Sequence, residues 1–156
     1  MIVFGITGSS RKHDVQLVYR CQECSFDTSG PSQIECRACI TINEVQLVCD
    51  DSRRVLCVIG YCPYHEWQKT PLSPPSHAPG DLVVLSDLPF TPGVAIGLSD
   101  PNRRWPVYVN SGTWVCIGDP ADEGDRAVEF SLDSVAVLRG DHLVALWLHP
   151  VILRSD

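Results

Sequence analysis

Cys21, Cys24, Cys36 and Cys39 stand as two Cys-x-x-Cys pairs separated by eleven residues. Two tight turns facing each other at that spacing would offer four thiolates to one ion, and a soft tetrahedral shell of that kind suits zinc. A shell closed by four sulfurs leaves no position for substrate, so the ion would hold the chain without performing a reaction. A second candidate group is Cys49, Cys57, Cys62 and His65, in which Cys62-Pro-Tyr-His65 has the Cys-x-x-His spacing of a zinc turn. Two groupings are open. The first four cysteines bind one ion and the second four residues another, or Cys36 and Cys39 join Cys62 and His65 across the intervening hairpin and leave Cys21 and Cys24 to other partners. Cys49 and Cys57 read equally well as small buried hydrophobes.

Other residues have the right chemistry with weaker context. Cys116 has His142 and His149 downstream, the parts of a cysteine nucleophile and its base, yet it sits between Val115 and Ile117 where a strand buries an inert thiol. The pair His65-Glu66 is the one place where a zinc hydrolase could find a proton carrier, without deaminase spacing. The acidic run Asp119 to Asp125 reads as a solvated loop, because no calcium-loop pattern runs through it. Arg139-Gly-Asp141 reads as a hairpin turn. Arg103, Arg104, Trp105, Tyr108 and Trp114 gather around one expected hairpin. They form the best candidate binding surface, by stacking or by gripping a peptide, or else the core and cross-strand pairs of a β domain.

The elements that must position these groups are short strands. Ile2 to Ile6 and Val15 to Arg20 come first, the latter delivering the chain into the first cysteine turn, and Gly30-Pro31 bends it towards the second. Residues 41–59 predict a hairpin turning at Asp50 to Arg54, with Val45, Leu47 and Cys49 on one face. Residues 69–80 carry four prolines in twelve positions and predict an extended linker, a type of segment that aromatic grooves also bind. Beyond it, apolar runs at 82–85, 94–98, 106–109, 113–117, 127–130, 134–138 and 143–148 predict six or seven strands, with turns at 110–112 and 139–141.

Tyr19-Arg-Cys-Gln-Glu-Cys, followed by Cys36-Arg-Ala-Cys39, resembles the short zinc ribbons of small RNA-polymerase subunits and of bacterial regulatory ribbons over residues 19–40. The resemblance implies a ribbon topology with the four cysteines as ligands. Gly80-Asp-Leu-Val-Val-Leu85 with Gly93-Val-Ala-Ile-Gly97 is similar to the opening of SH3-like barrels. The expected fold is therefore mainly β: a zinc-ribbon-like module over 1–68, a proline-rich linker over 69–80, and a small antiparallel β-barrel or sandwich over 81–156.

Composition bounds the function. Of 156 residues, 44% are hydrophobic and 20% charged, enough apolar mass for a core. No apolar run approaches the roughly 20 residues of a membrane-spanning helix, and the first residues lack the basic start of a secretory signal. Tandem Cys-x-x-Cys pairs favour metal over disulfides and so an intracellular, reducing compartment, cytoplasm or nucleus. The net charge of −7 divides unevenly, residues 1–70 holding seven basic and eight acidic groups and residues 71–156 five and eleven. That balance disfavours sequence-independent nucleic-acid binding. The reading is a non-enzymatic, zinc-stabilised interaction protein that docks onto a larger assembly through a protein partner. The alternatives are a nucleic-acid or transcription accessory factor and a cysteine enzyme. Exposed strand edges make self-association a further expectation.

Overall fold

Strands at Val115–Gly118 and Ser134–Arg139 are buried almost throughout, while some others alternate buried with half-buried positions. In Ala38-Cys-Ile-Thr-Ile42, for example, Ala38, Ile40 and Ile42 are buried while Cys39 and Thr41 are half-buried on the other face. The computed structural model describes residues 2–8, 15–29, 38–98, 100, 102–120 and 122–154. Cys36, Gly30 and Pro31 lie outside the described residues. The strands are β1 (Phe4–Thr7), β2 (Gln16–Arg20), β3 (Ser25–Ser29), β4 (Ala38–Ile42), β5 (Val45–Cys49), β6 (Val55–Tyr61), β7 (Gln68–Lys69), β8 (Ala78–Pro79), β9 (Asp81–Val84), β10 (Ala95–Gly97), β11 (Val107–Val109), β12 (Val115–Gly118), β13 (Arg126–Ser131), β14 (Ser134–Arg139), β15 (His142–Leu148) and β16 (Val151–Leu153). A single 3-10 turn covers Tyr64–Glu66 among the described residues.

These strands make three sheets, none closed. The first sheet has the order β10-β4-β5-β6-β3-β2-β16, the second β7-β11-β12-β15-β14-β13-β8, and β1 pairs with β9 as a two-stranded ribbon. The mainly β expectation holds. Most strands of residues 81–156 lie in the second, open sheet, so of the barrel or sandwich expected there a closed barrel is not formed.

The sheets are shared between the two halves of the chain. Strands β10 and β16, from beyond the proline-rich segment, add to the first sheet in parallel beside β4 and β2, and β7 from before it adds to the second beside β11. One core cluster draws Leu17, Phe26 and Leu47 from the first sheet, Ile117, Phe130 and Leu146 from the second, and Phe4 and Leu82 from the ribbon. The division into separate units on either side of residues 69–80 is therefore not how the described chain packs. Neither half holds a complete apolar core of its own, so each completes the other's.

Residues 69–80 do more than link. Strand β7 lies at one edge of the second sheet and β8 at the other, so the intervening chain must cross a face of that sheet. The inner face is filled by the shared core. On the outer face sits a second cluster of fully buried residues, Cys116, Val135, Val137, Ala145 and Trp147, with Tyr108 and Trp114 packed against it. Contacts of the crossing segment lie there: Asn110 donates to the carbonyl of Leu72 at 3.1 Å, and the His77 ring meets Trp114 edge-on at 6.3 Å. Six inter-strand gaps at about 4.8 Å span about 29 Å, and the nine steps from Lys69 to Ala78 reach about 28 Å in polyproline conformation. The segment is a taut strap over an apolar sheet face.

The hairpin expected at 41–59 is a three-stranded meander. Asn43, at φ +53°, turns β4 into β5, because asparagine tolerates the left-handed region that a two-residue turn needs. The ribbon β1–β9 closes one side of the molecule, bridging from Val83 to Arg54 at the start of β6 and from Phe4 to the carbonyl of Asp141. On the opposite side, the end of the first sheet carrying the turns at 21–24, 43–44 and 62–65 meets the β7–β11 edge of the second.

Candidate functional site

The cysteines are placed by strand register. Cys39 pairs with Val48, which pairs with Cys57, and these share a small apolar cluster with Val15 and Ile59 on one face of the first sheet. Cys49 faces the main core. Cys49 and Cys57 thus point to opposite faces and are not brought together. Cys39 lies on β4 beside Val48 and Cys57, at the other end of the sheet from the 21–24 turn, whose neighbours across the strands are Tyr61 and Val45. Ligands to one zinc ion must all sit about 2.3 Å from it, and the register does not bring Cys39 together with Cys21 and Cys24, while Cys36, the fourth member of the expected shell, lies outside the described residues.

Pairing of β3 with β6 brings a different combination side by side. The Cys62 amide donates to the Cys24 carbonyl at 2.7 Å, so the turn at 21–24 abuts the turn at 62–65. Their side chains are engaged elsewhere. Cys62 is buried, accepts the Trp67 indole N–H at 3.4 Å, and burial pushes its thiol up to about 11. Among the described residues no three His, Cys, Asp or Glu side chains converge as metal ligands. Cys116 is fully buried under the strap, with burial first and Asp119 second pushing its thiol up to about 12. Such a thiol is almost entirely protonated at neutral pH and makes a poor nucleophile.

The aromatic and arginine candidates divide between two faces. Tyr108 and Trp114 belong to the outer cluster beneath the strap, where Trp114 stacks on His149 at 4.6 Å. Arg103, Arg104 and Trp105 line a cleft of about 360 Å³ with Asp100, Asp119 and Leu143. Trp105 is clamped by Asn43, whose side chain accepts the Trp105 amide at 3.0 Å and donates to its carbonyl at 2.9 Å. Its indole lies over Gly118, where a Cβ would come 2.9 Å from the ring and 2.3 Å from the Val144 carbonyl. Only glycine, here at φ +116°, permits that approach. Arg104 is held by Glu44 through two bonds of 2.6 and 2.9 Å, and this pairing keeps the Glu44 carboxyl below its usual range. The Arg103 side chain makes no hydrogen bond or ion pair among the described residues.

Sequence reasoning found the two arginines and Trp105 but missed Asn43 and Gly118, which fix the tryptophan. The Asn43-Glu44 dipeptide was a turn signal, but its tie to a residue 62 positions away is a product of the fold alone. No protein-family model matches this sequence, and no curated protein or solved structure matches it significantly.

Proposed function

We propose that this chain is a non-catalytic interaction protein that docks onto a protein partner through the cleft of Arg103, Arg104 and Trp105. The observation carrying the proposal is a tryptophan locked by Asn43 and Gly118 beside Arg103, whose side chain has no acceptor among the described residues. A rigid aromatic next to an uncommitted guanidinium is the composition that dominates binding energy in protein interfaces. The rim carboxylates Asp100 and Asp119, and the neutralisation of Arg104 by Glu44, favour a protein with mixed charge over a polyphosphate backbone.

The test compares the full chain with Arg103→Glu and Trp105→Ala in affinity capture under reducing conditions, followed by titration of the captured partner. Each variant is expected to weaken that partner by about tenfold or more, the scale of an interface hot spot. Undiminished binding by both variants would refute the proposal. Gel-shift at low salt addresses the nucleic-acid alternative, with no retardation expected at concentrations where the partner binds.

A further inference from the structure

At the other end of the same seam lies a cavity of about 390 Å³, between the 21–24 turn, the 62–67 segment, the end of β11 and the final strand β16. Tyr19, Trp67 and Tyr64 form aromatic walls, and Val109 and Ile152 line it with aliphatic surface. The walls are rigid. Tyr19 and Trp67 meet at 4.9 Å, and Trp67 lies nearly parallel to the buried Phe26 ring at 6.4 Å. Their polar edges are already occupied, the Tyr19 hydroxyl donating to the Cys62 carbonyl at 2.6 Å and the Trp67 indole N–H donating to the Cys62 sulfur. The Thr113 hydroxyl donates to the Gly112 carbonyl at 2.6 Å.

Two features at the mouth set this cavity apart from a packing gap. Arg154 lines it, and its guanidinium makes no hydrogen bond or ion pair among the described residues. Among the described residues no Asp or Glu lines the cavity. Thr113, also at the mouth, is held at φ +65°, a conformation in which a β-branched residue is an outlier, and backbone strain of this kind collects at binding sites.

We propose that this cavity binds a planar, apolar carboxylic acid, the ring body lying against Trp67 and Tyr64 over the buried Tyr19 and the carboxylate paired with Arg154. The class follows from the donors that remain. With the Tyr19, Trp67 and Thr113 polar groups engaged, the Tyr64 hydroxyl and one cation at the rim remain, which suits a ligand with a single anionic end better than a polyhydroxylated or multiply charged one. The cavity volume matches a small two-ring molecule within the range of ligand pockets. This site is separate from the Trp105 cleft and does not depend on the partner proposed there.

The experiment titrates the full chain with 2-naphthoate and with its neutral counterpart 2-naphthalenemethanol, following the methyl resonances of Val109 and Ile152 by NMR. Saturable binding of naphthoate is expected to move those methyls and leave Leu143, in the other cleft, unmoved. Arg154→Gln is expected to weaken naphthoate by about tenfold and the neutral compound by less than about twofold, the signature of one charge-assisted contact. Ile152→Phe, which fills the cavity from an edge strand, is expected to weaken both. The proposal is overturned by absence of saturation up to about 5 mM, a concentration that detects even weak ligands. Equal loss of both compounds on Arg154→Gln, or shifts confined to Leu143, would overturn it as well.

Discussion

At the scale of single residues, backbone conformation and burial decide more than charge. Gly118 admits both the Trp105 ring and the Val144 carbonyl, so Gly118→Ala is expected to destabilise by about 3 kcal/mol through steric strain that backbone cannot relieve. A urea unfolding curve measures the loss, and near-ultraviolet circular dichroism should show Trp105 loosened. Thr113 presents the opposite case. Its φ of +65° is strained for a β-branched side chain, so Thr113→Gly is expected to raise stability by about 1 kcal/mol while altering the cavity mouth. The buried thiols make stability depend on pH at the alkaline end. Cys62 and Cys116 have folded values pushed up to about 11 and about 12, above the ordinary thiol, so the folded chain keeps protons that the unfolded chain releases. Their contribution is intact below about pH 9 and is lost as pH rises through the folded values. Urea midpoints should fall between about pH 9 and 11, and Cys116→Ala should flatten that fall.

At the scale of elements, the strap over the second sheet is the feature that composition misreads. Prolines suit it because an extended, donor-poor segment can cross a sheet face without leaving amide groups unpaired, not because it separates two bodies. Its length is close to the minimum for the crossing, which makes insertion and deletion unequal. Deleting Ser73 and Pro74 is expected to destabilise by several kcal/mol, estimated as about 3 or more, because β7 or β8 must detach and uncover Trp147. Inserting two serines at the same place is expected to cost less than about 1 kcal/mol, the price of a slightly longer closed loop. Thermal unfolding of the two variants distinguishes a strap from a linker, since a linker would tolerate both. Asp125 and Arg139 show the same lesson in a turn. Two bonds of 3.1 and 3.0 Å tie the acidic run to the start of the 139–141 turn and hold the Asp125 carboxyl below its usual range.

At the scale of the whole molecule, the shared core predicts that fragments 1–68 and 81–156 will not fold alone. Each is expected to lack the near-ultraviolet signal and sharp transition of the full chain, which itself should unfold in one step seen identically by fluorescence and circular dichroism. Independent folding of either fragment would contradict the interleaved sheets. The sequence by itself determined that the chain is mainly β and where most strands lie, because short apolar runs bounded by turn residues are a local signal that Leu82 to Val84 or Leu143 to Leu148 carries in full. It also marked Arg103, Arg104 and Trp105, which do line one cleft. Only the tertiary structure decided who neighbours whom. Cys39 parts from Cys21 because strand register puts them at opposite ends of the first sheet, β10 and β16 join that sheet, and Asn43 meets Trp105 across 62 residues of chain. Spacing along a chain constrains distance only within one turn or hairpin; beyond that, pairing register and the need to cover every apolar sheet face select the partners, and those are properties of the assembled core.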